Sequence, residues 1–474
     1  MGDETCLKKN KKKRLNRRKE ENKGTNISDL PNALICEILS NLPTKEAIRT
    51  SVLSKHWRHQ WKNIYKFELK EESHDRRENF KDFFVKRLLR GCNNSLSLKK
   101  FCLSCEVGED AALINIWLTA FISSGIEELI LDFESVTEQL YFPEGVFNSP
   151  TLKKFHLSMP FALILPLNYN FKNLKELTLK HVVFQDGPST QQLFSSCRSL
   201  QDMTLVDCNW MNVGTVCICS PSLQSLTIRE WNDDDEEQEE EEEENGRNQP
   251  PSQCQIVIIG SKLKTFSYDG DMANHYFFYC TGSVVNASVC IRAWQSSLEN
   301  AFFVFKMLKA FPSVEKLSIT DAAIETLCHA PCLIQHLPRF NKLTQLQVQT
   351  DMPMNFPCAA FITILRNSPC LQTLEFDNKG IYAAEEGDGA GALSIPACFG
   401  SHLKKITIHG FSGNSLELNA IKYLLRAMPV LEEFNIYSSA YVVNSVGGVD
   451  RLEDLYNKII AFPRASQDCD LYLE

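Results

Sequence analysis

Cysteines and histidines at short spacing come closest, in this sequence, to a reactive or metal-binding site. Residues 328–336 hold two cysteines and two histidines, and such groupings bind zinc or pair a thiol nucleophile with its base. Leu327, Leu333 and Leu337 accompany them at spacings that favour an ordinary core helix over a metal site. The sequence alone does not exclude that a cysteine and a histidine of this segment form a nucleophile pair.

Two further features that enzymes use are incomplete. Cys102 and Cys105 have the spacing of half a zinc site, but no second pair follows at a fitting distance. The glycines of residues 385–392 lie in an acidic, Gly/Ala-rich stretch that predicts a loop, not a phosphate-binding turn. We therefore expect a non-catalytic protein with no catalytic residue, no metal and no cofactor.

The composition is that of a globular protein with two strongly charged blocks. The 474 residues are 43% hydrophobic and 23% charged. Eleven acidic residues lie between Asp233 and Glu244, and because the net charge is −9, the rest of the chain carries +2. Nine residues from Lys8 to Lys19 are basic. Such runs predict solvated, disordered segments.

The N-terminal region bears on where the protein works. Residues 1–25 lack the apolar core of a secretory signal, and no apolar run approaches the roughly 20 residues that cross a membrane. We expect a protein of the nucleus, the cytoplasm or both, with no membrane partner and with mostly buried, reduced thiols. The basic block fits a nuclear import signal, a weak nucleic-acid contact or a plain solvated tail. Without interleaved aromatic residues, nucleic-acid recognition is disfavoured.

Residues 26–69 carry the spacing of three short helices. Ser28 and Asp29 can cap a first helix with Pro31 in its first turn, and Thr44 can cap a second after Pro43 ends the first. A third helix, starting near residue 54, presents two tryptophans on one face. The apolar residues that recur at helical spacing in the first two helices are Leu30, Leu34, Ile38, Leu39, Leu42, Ala47, Ile48, Val52 and Leu53.

A unit of some 44 residues cannot bury all of that surface by itself. No Cys/His cluster offers it a metal, so physical chemistry leaves two choices. The helices dock to a partner protein, or they form a cap that packs only on the following domain.

The order of residues in this segment closely resembles a plant F-box. The matching positions run Ile27, Ser28, Asp29, Leu30, Pro31, Leu34, Ile38, Leu39, Leu42, Pro43, Thr44, Lys45, Ala47, Val52, Leu53, Ser54, Lys55, Trp57 and Trp61. The resemblance implies docking to a Skp-type adaptor, which bridges to a cullin ubiquitin ligase. It implies docking roles for Leu30, Pro31, Leu34, Ile38, Leu39, Leu42, Pro43, Val52 and Leu53. The two tryptophans are expected inside the three-helix unit.

A second pattern, apolar-x-x-apolar-x-apolar, repeats along the rest of the chain. Its copies begin at Leu98, Ile126, Leu152, Leu174, Leu200, Leu223, Leu263, Val314, Leu343, Leu371, Leu403 and Leu431, with a degraded copy near Asn286. After subtraction of an acidic insertion, residues 232–252, the period is about 26 residues, typical of leucine-rich repeats. Each repeat should supply a short strand and an irregular or helical return, together forming an α/β solenoid of horseshoe shape.

Alternation along each strand predicts which side chains face outward. In the repeat that begins at Leu174, the first, fourth and sixth residues should be buried, and the third, fifth and seventh should lie on the concave face. The third and seventh positions are most strongly charged in the first half of the array. We therefore predict that Lys154, Glu176 and Lys180 contact a protein target.

The C-terminal segment is similar to the FBD domain that closes many plant F-box/leucine-rich-repeat proteins. The similarity rests on residues 403–411, 421–425, 428–432 and 462–466. The resulting domain prediction is a disordered basic tail over 1–25, an F-box over 26–69, repeats over 70–400 and an FBD-like cap over 401–474. The resemblance implies a substrate-recognition adaptor of an SCF-type E3 ubiquitin ligase. The alternative is a repeat scaffold that acts outside any ligase.

Overall fold

The computed structural model describes residues 27, 30–71, 98–134, 139–166, 169–230, 254–292, 297–383, 395–439 and 448–474. The chain divides into two compact units, residues 1–155 and 156–474. Four features of the sequence lie outside the described residues. They are the basic block, the pair Ser28 and Asp29, the acidic insertion and the glycines of residues 385–392.

The first unit begins with short helices and continues into parallel strands. Its elements are α1 (Asn32–Ser40), α2 (Thr44–Arg49), two 3₁₀ helices (Thr50–Val52 and Trp57–Asn63), β1 (Lys66–Lys70), β2 (Lys100–Cys105), α3 (Ala111–Ser123), β3 (Glu128–Phe133) and α4 (Glu144–Asn148). Strand β1 pairs in parallel with β2, and β2 with β3. The boundary between the units falls within β4 (Lys154–Ser158).

The second unit contains strands of one large parallel sheet and of three small parallel sheets. Its strands are β5 (Ala162–Leu163), β6 (Glu176–Lys180), β7 (Val183–Phe184), β8 (Asp202–Val206), β9 (Thr215–Ile218), β10 (Ser225–Glu230), β11 (Gln255–Ile259), β12 (Thr265–Gly270), β13 (His275–Tyr279), β14 (Asn286–Ile291), β15 (Lys316–Thr320), β16 (Gln345–Thr350), β17 (Met354–Asn355), β18 (Thr373–Asn378), β19 (Ile381–Tyr382), β20 (Lys405–Phe411), β21 (Glu433–Ser438) and β22 (Asp470–Leu473). The order β6-β8-β10-β12-β14-β15-β16-β18-β20-β21-β22 follows the chain.

Helices connect several of these strands. They are α5 (Gly187–Ser196), α6 (Leu298–Ala310), α7 (Asp321–Cys328), α8 (Pro331–Ile334), α9 (Ala359–Arg366), α10 (Ala397–Ser401), α11 (Ser415–Ala427) and α12 (Gly448–Ile460). Among the described residues, no helix is long and apolar enough to span a bilayer.

The repeat spacing explains the core of the sheet. Leu174, Leu177 and Leu179, the first, fourth and sixth residues of one repeat, are at most 1% exposed, as predicted. The degraded repeat near Asn286 is also a true strand, because β14 pairs with both β12 and β15 and buries Val289. One repeat therefore contributes one strand, and neighbouring repeats bury each other's apolar residues.

The returns between strands differ from the prediction in one respect. Besides helices and irregular turns, several returns form strands of their own, giving the small parallel sheets β13-β11-β9, β5-β7 and β17-β19. Alternating residues such as Ile256 and Ile258 in β11 are fully buried, so these segments have the period of a strand. The repeat pattern itself carries no information on them, because it describes only the strand at the start of each repeat.

Candidate docking surfaces

A small aromatic core holds the helices of residues 30–71 together. Trp57 and Trp61 are 1% and 8% exposed, as predicted, and they lie in a 3₁₀ helix where the sequence predicted an ordinary third helix. The indole nitrogen of Trp57 donates to the carbonyl oxygen of Ile27 at 3.2 Å. The apolar side of α1 that meets this core is formed by Ile35 and Leu39, both fully buried.

Polar side chains then tie the helices to each other and to β1. Gln60 donates through its side-chain amide to Asn32 at 2.9 Å. The hydroxyl of Thr44 accepts from the backbone N–H of Glu68 at 2.8 Å, which is a different role from the predicted helix cap. Pro31 stands at the N-cap of α1, one position before the first turn in which it was predicted. Pro43 follows the end of α1, as predicted, and is also the N-cap of α2.

The predicted single apolar stripe on α1 is in fact two adjacent stripes. One consists of the buried Ile35 and Leu39, and the other of Leu34 and Ile38, which are 47% and 41% exposed. Residues four apart share a helix face, whereas consecutive residues do not. The two pairs therefore lie on adjacent faces of α1. Leu39, which was also predicted to contribute to docking, is fully buried here and packs within the segment, and its contribution to docking stays a prediction.

The other predicted docking residues are all accessible to some degree. Val52 and Leu53, at the end of the second helical segment, are 88% and 54% exposed. Pro31 and Pro43 are exposed, and the two remaining leucines, Leu30 and Leu42, are half-buried. Large apolar side chains exposed at this density are typical of protein interaction surfaces, because burying one such side chain contributes about 1.5–3 kcal/mol.

On the outward face of the parallel sheet, the strand register determines which charged side chains are neighbours. Because the strands are in register, equivalent repeat positions lie side by side, and like charges there would repel each other. Lys100 lies beside Glu128 and forms an ion pair with it, and Lys405 pairs with Glu433 at 2.6 Å. In these two pairs, the charge of one strand is therefore partly neutralised by the charge at the equivalent position of the next strand.

The three residues predicted to bind a target lie on this strand face. Lys154 opens β4 and is exposed, while Glu176 and Lys180 lie at the two ends of β6. Glu176 is half-buried and its carboxylate lies 3.2 Å from Nε2 of His156. Of the three, the two lysines present the more accessible charge.

A groove that the sequence did not indicate crosses the middle of the second unit. It has a volume of about 380 Å³ and is lined by residues of β12, β14, β15, β16 and β18. Hydroxyl and amide side chains dominate its outward-facing lining, and Lys316 and Glu375 are its charged lining residues. The groove depends on five strands lying side by side, so no single repeat predicts it.

Among the described residues, the cysteine- and histidine-containing segment does not bring three ligand atoms within 4.8 Å of one another. It forms two short helices, α7 and α8, instead of one core helix, and both Cys332 and His336 are exposed. Cys328 instead faces Cys358, and a hydrogen bond from Cys358 lowers the pKa of the Cys328 thiol below its ordinary value. Burial and the same interaction raise the pKa of Cys358.

Comparison with known domains gives three matches along the chain. An F-box domain matches residues 27–69, the LRR repeats of FBD-associated F-box protein At5g56370 match residues 114–244, and FBD matches residues 392–436.

Curated relatives from Arabidopsis thaliana carry F-box and LRR-repeat names, one of them with FBD as well. F-box/LRR-repeat protein At3g26922 is 34% identical over 208 residues, which cover 44% of this chain and 68% of the relative. Putative F-box/FBD/LRR-repeat protein At3g59240 is 29% identical over 460 residues, covering 89% of this chain and 85% of the relative. F-box/LRR-repeat protein At4g14096 is 29% identical over 471 residues, covering 94% of each.

Proposed function

Because this chain belongs to the family of plant F-box/FBD/LRR-repeat proteins, we propose that it is the substrate-recognition subunit of an SCF-type ubiquitin ligase. The observation that carries the proposal is the F-box match over residues 27–69 together with the accessible apolar side chains that the same segment presents. In this function the segment binds a Skp-type adaptor, and the repeats bind a target protein.

The proposed chemistry is placement without catalysis. Holding a target lysine close to a charged ubiquitin carrier raises the effective concentration of the two reacting groups, and the catalyst belongs to other subunits of the ligase. The long strand face of the second unit supports this function, since it offers polar side chains and a groove where a target can bind.

The proposal assigns the C-terminal region a capping function. Strand β22 lies at the end of the large sheet, and Ser466 donates to the carbonyl oxygen of Leu431 at 2.7 Å. Leu455 and Ile459 of α12 are buried, which supports shielding of the last apolar layer. A repeat array needs such a cap because its terminal core would otherwise face water.

Co-purification with a Skp-type adaptor tests the docking step. Leu34→Asp with Ile38→Asp should reduce adaptor retention by the full chain at least tenfold, because two charges would be desolvated in an apolar interface. Ile116→Asp is the matched control, since Ile116 is 58% exposed in the same unit but lies outside the F-box. Equal retention by both variants would contradict docking, and the chain would then act as a repeat scaffold outside a ligase.

We also propose that the protein works in the nucleus, the cytoplasm or both. The support is the basic block from Lys8 to Lys19, which has the composition of an import signal. A fluorescent reporter that carries residues 1–25 should concentrate in the nucleus, and replacing the basic residues with alanine should abolish that concentration. An even distribution of the unaltered fusion would assign the block to a solvated tail.

A further inference from the structure

Three metal-ligand side chains converge on the strand face of the second unit. Glu375 and Asp377 extend from β18, and His409 extends from the neighbouring strand β20. Nε2 of His409 lies 3.4 Å from Oε1 of Glu375 and 3.9 Å from Oδ1 of Asp377. Among the described residues, this is the one group of three such side chains whose ligand atoms all lie within 4.8 Å of one another.

Neighbouring side chains fix the orientation of two of these groups. The ring of Tyr437 on β21 stacks on the imidazole of His409, with a centroid distance of 4.7 Å and an interplanar angle of 12°. The amide of Gln347 on β16 donates to Oδ2 of Asp377 at 2.6 Å, which leaves Oδ1 on the side of the imidazole. Outer groups that orient ligands in this way are a regular feature of metal sites.

The separations between these ligand atoms are close to those found around a bound metal ion. Ligand atoms at about 2.0–2.2 Å from a metal lie about 3.0–3.5 Å from one another in octahedral or tetrahedral geometry. The 3.4 Å separation lies in that range, and the 3.9 Å separation lies slightly above it. The two carboxylates also repel each other, and the nearby Lys405 is held by Glu433 at 2.6 Å.

We propose that Glu375, Asp377 and His409 bind one divalent transition-metal ion. Two carboxylate oxygens and one imidazole nitrogen suit Zn²⁺ and Mn²⁺, which accept mixed oxygen and nitrogen ligands. The side chains of Glu375, Asp377 and His409 are 37%, 27% and 35% exposed, so solvent reaches the site. Three protein ligands leave at least one coordination position for water or another ligand. A metal ion here would depart from the expectation, drawn from the sequence, that the chain binds none.

Titration of the protein with Mn²⁺ tests the proposal. Mn²⁺ is the probe because soft thiolates select other ions, and the described residues include sixteen free cysteines. The parent protein should lack residues Asp233–Glu244, so that this acidic run does not bind the ion. The electron paramagnetic resonance signal of free Mn²⁺ should reveal one bound ion per chain at pH 7.5.

Two variants and one control assign that ion to the site. Asp377→Asn keeps the shape of the side chain and His409→Ala removes the imidazole, and each should weaken binding at least tenfold. His156→Ala is the matched control, because His156 pairs with the single carboxylate of Glu176 on the same sheet and should bind as the parent does. Thermal unfolding checks that each variant is folded. If one of the two site variants is not folded, Glu375→Gln is used in its place.

Two results would overturn the proposal. One is the absence of a bound ion in the parent protein, and the other is equal binding by the parent and the folded site variants. Neither result depends on an adaptor or a target, so this test is independent of the proposed ligase function.

Discussion

Asn274 donates from its side-chain amide to Oε1 of Glu230 at 2.7 Å in the interior of the second unit. The hydroxyls of Tyr268 and Tyr276 also donate to this carboxylate, and the tyrosine rings themselves meet edge to face. Burial raises the pKa of Glu230 above its ordinary value, and the three hydrogen bonds partly oppose the shift. A buried acid at the end of β10 is thus held entirely by neutral donors.

This arrangement predicts an unusual pH dependence of stability. An acid whose pKa is higher in the folded state stabilises the fold below its unfolded pKa, and that contribution is lost as pH rises through the folded pKa. The free energy of unfolding of the protein, relative to Glu230→Gln, should therefore be larger at pH 5 than at pH 8. Urea unfolding at both values measures it, with the exposed Glu299→Gln as control. Parallel pH profiles for the protein and Glu230→Gln would contradict the assignment.

The Cys328–Cys358 contact predicts an unusually reactive thiol. Because the hydrogen bond from Cys358 lowers the pKa of Cys328 below its ordinary value, Cys328 should react with iodoacetamide at pH 7 faster than an ordinary thiol does. Cys358→Ala removes the donor, so labelling of Cys328 at pH 7 should slow by roughly tenfold or more. Peptide mapping by mass spectrometry measures the rate, and Cys332→Ala should leave it unchanged. Equal rates in all three proteins would show that the contact does not activate Cys328.

Gly410 is predicted to be irreplaceable for backbone reasons. It has a φ of +71° beside an irregularity in the pairing of β20 with β21, and an added Cβ would lie 1.6 Å from the carbonyl oxygen of Asn378. The left-handed conformation alone costs other residues about 1–2 kcal/mol, and the clash adds to it. Gly410→Ala should lower the melting temperature by several degrees. Gly400→Ala, where an added Cβ meets nothing within 4 Å, should not, and an equal response would contradict this reason.

The strand face of the first repeats gives a prediction about target choice. Reversing the sign of the charge at Lys154, Glu176 and Lys180 together should leave folding and adaptor binding intact, because exposed ion pairs contribute only about 0–1 kcal/mol each. Capture of the target should fall, since such charges control association rate and selectivity. Proximity labelling of the full chain and the triple variant, with the proteasome inhibited, compares their partners. Unchanged capture by this variant, with loss on Lys316→Glu, would place recognition in the central groove.

The sequence by itself determined the repeat core and much of the F-box segment. Leu177 and Leu179 are buried because alternation along a strand is a local property, which any strand of that sequence expresses. The two tryptophans are similarly constrained, since so short a segment has few other large side chains to bury. The match to known F-box, LRR and FBD domains confirms that these patterns are specific.

Tertiary structure decided which of two adjacent faces is covered and which distant residues meet. Helical spacing places Leu34 and Leu39 on different sides of α1, but only packing against Trp57 and its neighbours decides that one side is exposed and the other buried. Glu375 and His409 are separated by 34 positions, and no motif spacing links them. They meet because β18 and β20 are paired in register, and register is set by burial along whole strands instead of by the polar residues themselves.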